Sequence, residues 1–433
     1  MIELIAIPIA TGIGAIWMGK RYFSDEHRLE KVFEACKLYV TKGSGDKLKQ
    51  DKMKLIRKEE HEWGTEYTYR LPVGLSFEQV QACYPAIKDG LNYKEGLDRH
   101  VEIFYEGALK IQVYREPIPK MVQYDRGLIQ LCQSWEIPLG MSYKELVFHD
   151  FEKSPHMLVA GTTRYGKTVF LKNIITTLTV QQPENVIFSL IDLKGMLAFS
   201  RFEHLRQVKY TASNGYEALD VLQKVVHEMN RRMERFRGKY EDVTEANLRE
   251  RHFIIVDEGA QLSSRGTRDL KLKKVLQECE RLMEEIARIG GGLGFRLIYA
   301  TQYPLRENLP ANIKQNCDAK VVFRLQNEVA SRTVMDYSGA EQLPRKDDSY
   351  KGGRAIYMTD APIIVQTPFA ENHVIEELIK PYRVQKTEEK EEQHHANDVE
   401  EPGEGGGHLI QFGSFGVFNT KSNSKVTRLK KRT

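Results

Sequence analysis

Eight consecutive residues could hold a polyphosphate. Gly161, Thr162, Thr163, Arg164, Tyr165, Gly166, Lys167 and Thr168 fit the pattern G-x-x-x-x-G-K-[ST]. Two glycines let the backbone curl until successive N–H groups converge, and a following helix adds partial positive charge at the same point. Lys167 is placed to reach β- and γ-phosphates, and Thr168 to offer its hydroxyl to Mg²⁺. A second motif, Phe253-Ile-Ile-Val-Asp-Glu258, is an apolar run ending in two carboxylates. Asp257 is placed to hold Mg²⁺ through water, and Glu258 to polarise a water attacking the γ-phosphate. Gln302, ending Leu297-Ile-Tyr-Ala-Thr-Gln302, is an amide that could touch that phosphate and report its loss. Two arginines further on, Arg324 and Arg332, could each neutralise transition-state charge in a neighbouring subunit's site, or form ordinary surface ion pairs.

The elements around these residues suit the task. An apolar stretch, 157–160, precedes the glycine loop, and 169–180 has helical spacing with Phe170, Leu171, Ile174, Ile175 and Leu178 on one side. Further buried strands are expected at 186–191, 253–256, 297–300 and 321–325, mostly separated by helices. Apolar strands alternating with helices imply a parallel, doubly wound α/β sheet with ligands at the strands' carboxyl ends. Asp192 and Lys194 end the 186–191 strand region. A basic stretch, residues 230–240, is expected on a long helix, either contacting DNA phosphates or as a solvated face.

Before the motor the chain predicts a small α+β domain. It has a helix over 26–39, strands over 52–58 and 66–71 flanking a turn at Gly64, a helix over 76–91 capped by Ser76, and a hairpin of 101–105 with 109–114. The expected division is a membrane anchor over 1–19, the small domain over 20–124, the motor over 125–383 and a disordered tail over 384–433. Residues 1–18 are almost wholly apolar, and basic residues Lys20 and Arg21 follow rather than precede them. That order fits a single span with a cytoplasmic motor better than a secretory signal, with a buried N-terminal helix as the alternative. The tail runs from glutamates through a Gly403–Gly407 joint to a basic end. A net charge of +4 permits a nucleic-acid partner without demanding one, and five scattered cysteines without a C-x-x-C pair disfavour a disulfide framework or a zinc site.

The order of motifs resembles the FtsK/SpoIIIE/HerA family of hexameric DNA-pumping ATPases. The matching pieces are Ile137-Pro-Leu-Gly140, the segment from Pro155 to Thr168, Asp192-Leu-Lys194, Ile255-Val-Asp-Glu258, Ala300-Thr-Gln-Tyr-Pro304, Phe323-Arg324, Ser331-Arg-Thr-Val-Met-Asp336 and Gly339-Ala-Glu-Gln-Leu343. The resemblance implies a RecA-like P-loop motor, ATP and Mg²⁺ as cofactors, a homo-oligomeric ring of six and double-stranded DNA in its pore. It assigns Lys167 and Thr168 to ATP and Mg²⁺, Asp257 and Glu258 to hydrolysis, and Gln302 to sensing. The chain departs from the family at Asp192-Leu-Lys, at Arg164-Tyr165, and at Gly290-Gly-Gly292, where a pore-side Gly-Arg pair is usual. The family's winged-helix orientation module is not expected here, because the fifty residues after Arg383 are too polar and too short to build it. This short layout resembles the coupling ATPases of Gram-positive conjugative elements, with a relaxase and secretion-channel proteins as partners. Chromosome or plasmid segregation, a secretion ATPase acting on proteins, and a non-pumping ATP-binding scaffold are the alternatives.

Overall fold

In the computed structural model, residues 24–43, 48–93, 98–347 and 349–384 are described. The apolar run 1–18 and, but for Val384, the tail expected over 384–433 lie outside them. Among the described residues no helix is long and apolar enough to cross a membrane.

The chain begins with α1 (Asp25–Ala35), β1 (Tyr39–Lys42), β2 (Lys49–Lys52), β3 (Lys54–His61), β4 (Gly64–Arg70), α2 (Phe77–Ala82), α3 (Tyr84–Leu91), β5 (Val101–Tyr105) and β6 (Leu109–Tyr114). Strands β3-β4-β6-β5 form an antiparallel sheet. Its core joins Tyr67, Tyr69, Ile111 and Val113 to Leu29, Phe33, Val80 and Ile87 of the helices. Ser76 caps the helix as expected, in a capping box completed by Gln79, but the single helix expected over 76–91 is two. The break falls at Cys83, with a proline in the first turn of α3. A proline there supplies no N–H to continue the preceding helix and instead starts a new one.

Then follow β7 (Val122–Gln123), α4 (Arg126–Gln130), β8 (Glu136–Met141), β9 (Leu146–Asp150), β10 (Met157–Ala160), α5 (Lys167–Gln181), β11 (Val186–Asp192), β12 (Val208–Ala212), α6 (Gly215–Phe236), β13 (Arg251–Asp257), α7 (Leu270–Ile289), β14 (Phe295–Thr301), α8 (Ala311–Asn316), β15 (Ala319–Phe323), α9 (Glu328–Met335), β16 (Arg354–Met358), β17 (Pro362–Gln366), β18 (Pro368–Phe369) and α10 (Asn372–Ile379). One ten-stranded sheet runs β12-β11-β13-β14-β10-β15-β16-β17-β8-β9. The first six strands are parallel, as expected. The last four extend it antiparallel, which the purely parallel expectation omitted. Helices α6 and α7 cover one face and α4, α5 and α10 the other, each over its own apolar core.

Two local expectations are corrected. The strand expected at 321–325 ends at Phe323, so Arg324 lies just past it. The basic stretch 230–240 is helical only to Phe236. Within it Arg232 is held by Glu250 and by the Leu293 carbonyl, leaving Arg231, Arg235, Arg237 and Lys239 exposed. The glycines at 290–292 cap α7, where Gly291 approaches Pro155 and His156 at the amino end of β10. The small domain meets the motor through His100 stacked on Tyr143, ring centroids 4.0 Å apart, and through Arg354, which donates to the Ile118 and Pro119 carbonyls.

Candidate nucleotide site

The central strand β10 runs straight into the glycine loop, flanked by β14 and β15. Both neighbours anchor the loop: Gly161 N–H donates to the Thr301 carbonyl and Thr162 N–H to that of Arg324. A third tie comes from Gly353 N–H to the Tyr165 carbonyl at 2.9 Å. The glycines are required by space. A Cβ on Gly161 would lie 2.6 Å from Cβ of Phe323, and one on Gly166 2.9 Å from that ring. Gly166 also sits at φ 122°, where only glycine is comfortable. Arg164, at φ 73°, takes the left-handed conformation as an arginine. No side chain caps α5, so its first N–H groups remain available to an anion at the positive end of the helix dipole.

The carboxylates arrive on β13, two strands from β10. Lys167, 4% exposed, pairs with Asp257, 2% exposed. Glu258 follows in the left-handed conformation at φ 63°, which turns its side chain back over the strand ends. One of its oxygens accepts from Gln302 N–H at 3.1 Å, the other from the Lys194 ammonium at 3.2 Å. Gln302 in turn accepts from the Thr163 hydroxyl at 2.7 Å. A chain of contacts therefore runs from Lys194 through Glu258 and Gln302 into the phosphate loop. Asp192, fully buried, fixes the start of that chain by accepting from the N–H groups of Lys194 and Ala198.

The two arginines do not join this cluster within one chain. Arg324 donates to the Leu343 carbonyl, and Arg332 pairs with Glu328 one turn earlier on α9. Neither reaches Glu258 or Lys167. Among the described residues no three or more His, Cys, Asp or Glu side chains group as a metal centre. The set still fits Mg²⁺, which commonly takes one or two protein oxygens and otherwise water and phosphate. Thr168 stands in the first turn of α5, and Asp257 is a buried carboxylate with Lys167 as its partner.

A cavity of about 450 Å³ opens from the loop. More than half of its lining was not anticipated: Lys120 and Met121 from the connection to the small domain, then Lys346, Ser349, Lys351 to Gly353 and Gln366 to Phe369. The Gly352-Gly353 pair, both at positive φ, was the legible trace of this wall. Lys346 packs near Arg164 and Lys351, and burial together with those cations holds its ammonium below the ordinary lysine range. No carboxylate pairs with Arg164, Lys346 or Lys351 among the described residues, so this mouth is built for an anion.

Strand order, glycine loop and carboxylate-tipped strand together define a P-loop NTPase fold with a mostly parallel sheet. Residues 133–251 match the FtsK/SpoIIIE family. Asp257, Glu258 and Gln302 lie beyond the matched interval. The DNA translocase FtsK of Listeria monocytogenes is 30% identical over 233 residues, 49% of this chain and 29% of that protein. The chain spans between 26% and 35% of the length of the first curated relatives it matches. Among solved structures, the pCW3 conjugation coupling protein TcpA with ATPγS superposes with a TM-score of 0.58 at 21% identity, covering 82% of this chain and 99% of that one. The cytoplasmic domain of the type VII secretion ATPase EccC of Thermomonospora curvata gives 0.51 at 20% identity, covering 61% and 35%. Both likenesses establish the fold.

Proposed function

We propose that the protein is an ATP-driven DNA translocase that acts as a coupling ATPase in conjugative DNA transfer. The observation that carries the chemistry is the continuous contact from Glu258 through Gln302 to Thr163, which links a carboxylate base to the phosphate cradle. On ATP binding, Lys167 would leave Asp257 for the β- and γ-phosphates, and the freed carboxylate and the Thr168 hydroxyl are the groups that would hold Mg²⁺. When bound, that ion neutralises charge on the phosphate oxygens. Glu258 takes a proton from water as the water oxygen bonds the γ-phosphorus, and the bond from that phosphorus to the β–γ bridging oxygen breaks. Through the Thr163–Gln302 contact, a rearrangement of the phosphate loop on nucleotide binding or release would be passed to the strand ends.

Arg324 or Arg332 would complete a neighbour's site in a hexameric ring, each leaving a contact within its own chain. The translocase relatives and the spread of the TcpA likeness over nearly that whole chain support DNA as the moved polymer. Residues 1–18 would tether the motor to the membrane, with relaxase and channel proteins as partners. ATPase rate with and without double- and single-stranded DNA tests the reading. Stimulation by DNA is expected, and turnover indifferent to every DNA would favour protein secretion instead.

A further inference from the structure

The cavity continues beyond the phosphates. Its far wall is a two-stranded ribbon in which Pro368 pairs with Val122 and Phe369 with Gln123. Met121, 65% exposed, and Phe369, 46% exposed, line the cavity with Val169 and Pro368. Large apolar side chains held open to water beside a cationic cradle are an unfinished contact. A ligand with a polyanionic tail and a flat, weakly polar head completes both ends at once.

We propose that Met121 and Phe369 form the slot for the base of a nucleoside triphosphate, and that the slot holds the base by stacking without reading its hydrogen-bonding edge. The inference rests on the nucleotide-binding reading above and adds its specificity. Apart from the cations Arg164, Lys346 and Lys351, assigned above to the anion, the side-chain polar groups beside Met121 and Phe369 are already engaged within the protein. Gln366 donates to the Gly352 carbonyl at 2.9 Å and accepts from Arg354 at 3.1 Å. Thr367 donates its hydroxyl to the Gly353 carbonyl at 3.0 Å. Lys120 donates to the Ser349 hydroxyl, which donates to Asp347. Gln366 and Thr367 are 1% and 4% exposed, so turning either toward a base would strand a buried partner. Strong rejection of a wrong substrate comes from polar groups poised for one edge, and an apolar slot lacks them. The ribbon also ends the connection to the small domain, so the base would rest directly on that linker.

The test is displacement of a ribose-labelled fluorescent ATP from the full chain by ATP, GTP or inorganic tripolyphosphate. In the wild type, ATP and GTP should compete within about tenfold of one another. Phe369→Ala should weaken both by roughly five- to a hundredfold, the range for loss of one base–aromatic stack. Tripolyphosphate should compete equally well against both proteins, and Phe369→Trp should restore the nucleotides. A preference for ATP over GTP of a hundredfold or more would overturn edge-blind recognition. Phe369→Ala weakening tripolyphosphate as much as ATP, or wild type holding ATP no tighter than tripolyphosphate, would overturn the slot. Wild-type protein that binds neither removes the nucleotide reading itself, and the slot with it.

Discussion

Replacing Lys167 by methionine removes a cation while keeping most of the side-chain volume. In the nucleotide-free protein the change leaves the Asp257 carboxyl 2% exposed and without another donor among the described residues. Removing one partner of a buried pair costs roughly 3–5 kcal/mol, because the survivor keeps its desolvation penalty. For a domain of this size 1 kcal/mol moves the midpoint by about 2–4 °C, so the melting temperature should fall on the order of 10 °C. Asp257→Asn alone should cost a similar amount by stranding the ammonium. The double variant Lys167→Met/Asp257→Asn carries neither charge and should recover most of the loss. Thermal unfolding of the four proteins without nucleotide gives the coupling energy directly. Additive losses in the double variant, or a Lys167→Met protein as stable as wild type, would refute the claim that this pair is held together before ATP arrives. On the proposed mechanism, ATP would have to compete with Asp257 for the lysine, and in doing so would free a carboxylate able to take Mg²⁺.

Glu258→Gln keeps the contact with Gln302 N–H but removes the base. Labelled ATP should still bind while turnover falls by at least about a hundredfold, and normal turnover would take Glu258 out of the mechanism. Gly161→Ala places a methyl 2.6 Å from Cβ of Phe323, an atom with nowhere to swing, so loop and strand must separate at a cost of roughly 1–3 kcal/mol. Equilibrium binding should show weaker ATP affinity, and wild-type affinity would mean the loop is looser than described. Burial holds His149 and His156 neutral, both pushed down to about 3. Below about pH 6.5 the unfolded chain takes up protons that the folded chain refuses, so each histidine removes about 1.4 kcal/mol of stability per pH unit of acidification. His149→Phe should therefore flatten urea midpoints measured between pH 6.5 and 5, and an unchanged slope would show that the folded protein accepts that proton.

The parts of the site made by contiguous residues were legible in order and spacing. A buried strand, a curled loop and a helix that share one stretch of chain leave their periods and glycines side by side. The same holds for the apolar run ending in Asp257 and Glu258, and for the hairpin closed by Glu106-Gly107. What contiguity does not encode is which distant side chains meet. Asp257 as the partner of Lys167, Lys194 against Glu258, and Thr163 against Gln302 are fixed only when parallel strands align their carboxyl ends. The antiparallel extension was missed because β16 and β17 are only five residues each, β16 buried at its three central positions alone and β17 exposed over its first two, so neither reads as a continuous buried run. Their presence brings Gly352, Gly353 and the 366–369 ribbon onto the phosphate loop. The sequence thus determined that a phosphate would be held, because that needs one loop and one helix dipole. The tertiary structure decided what surrounds the rest of the ligand, because that wall is assembled from segments that only the folded sheet brings together.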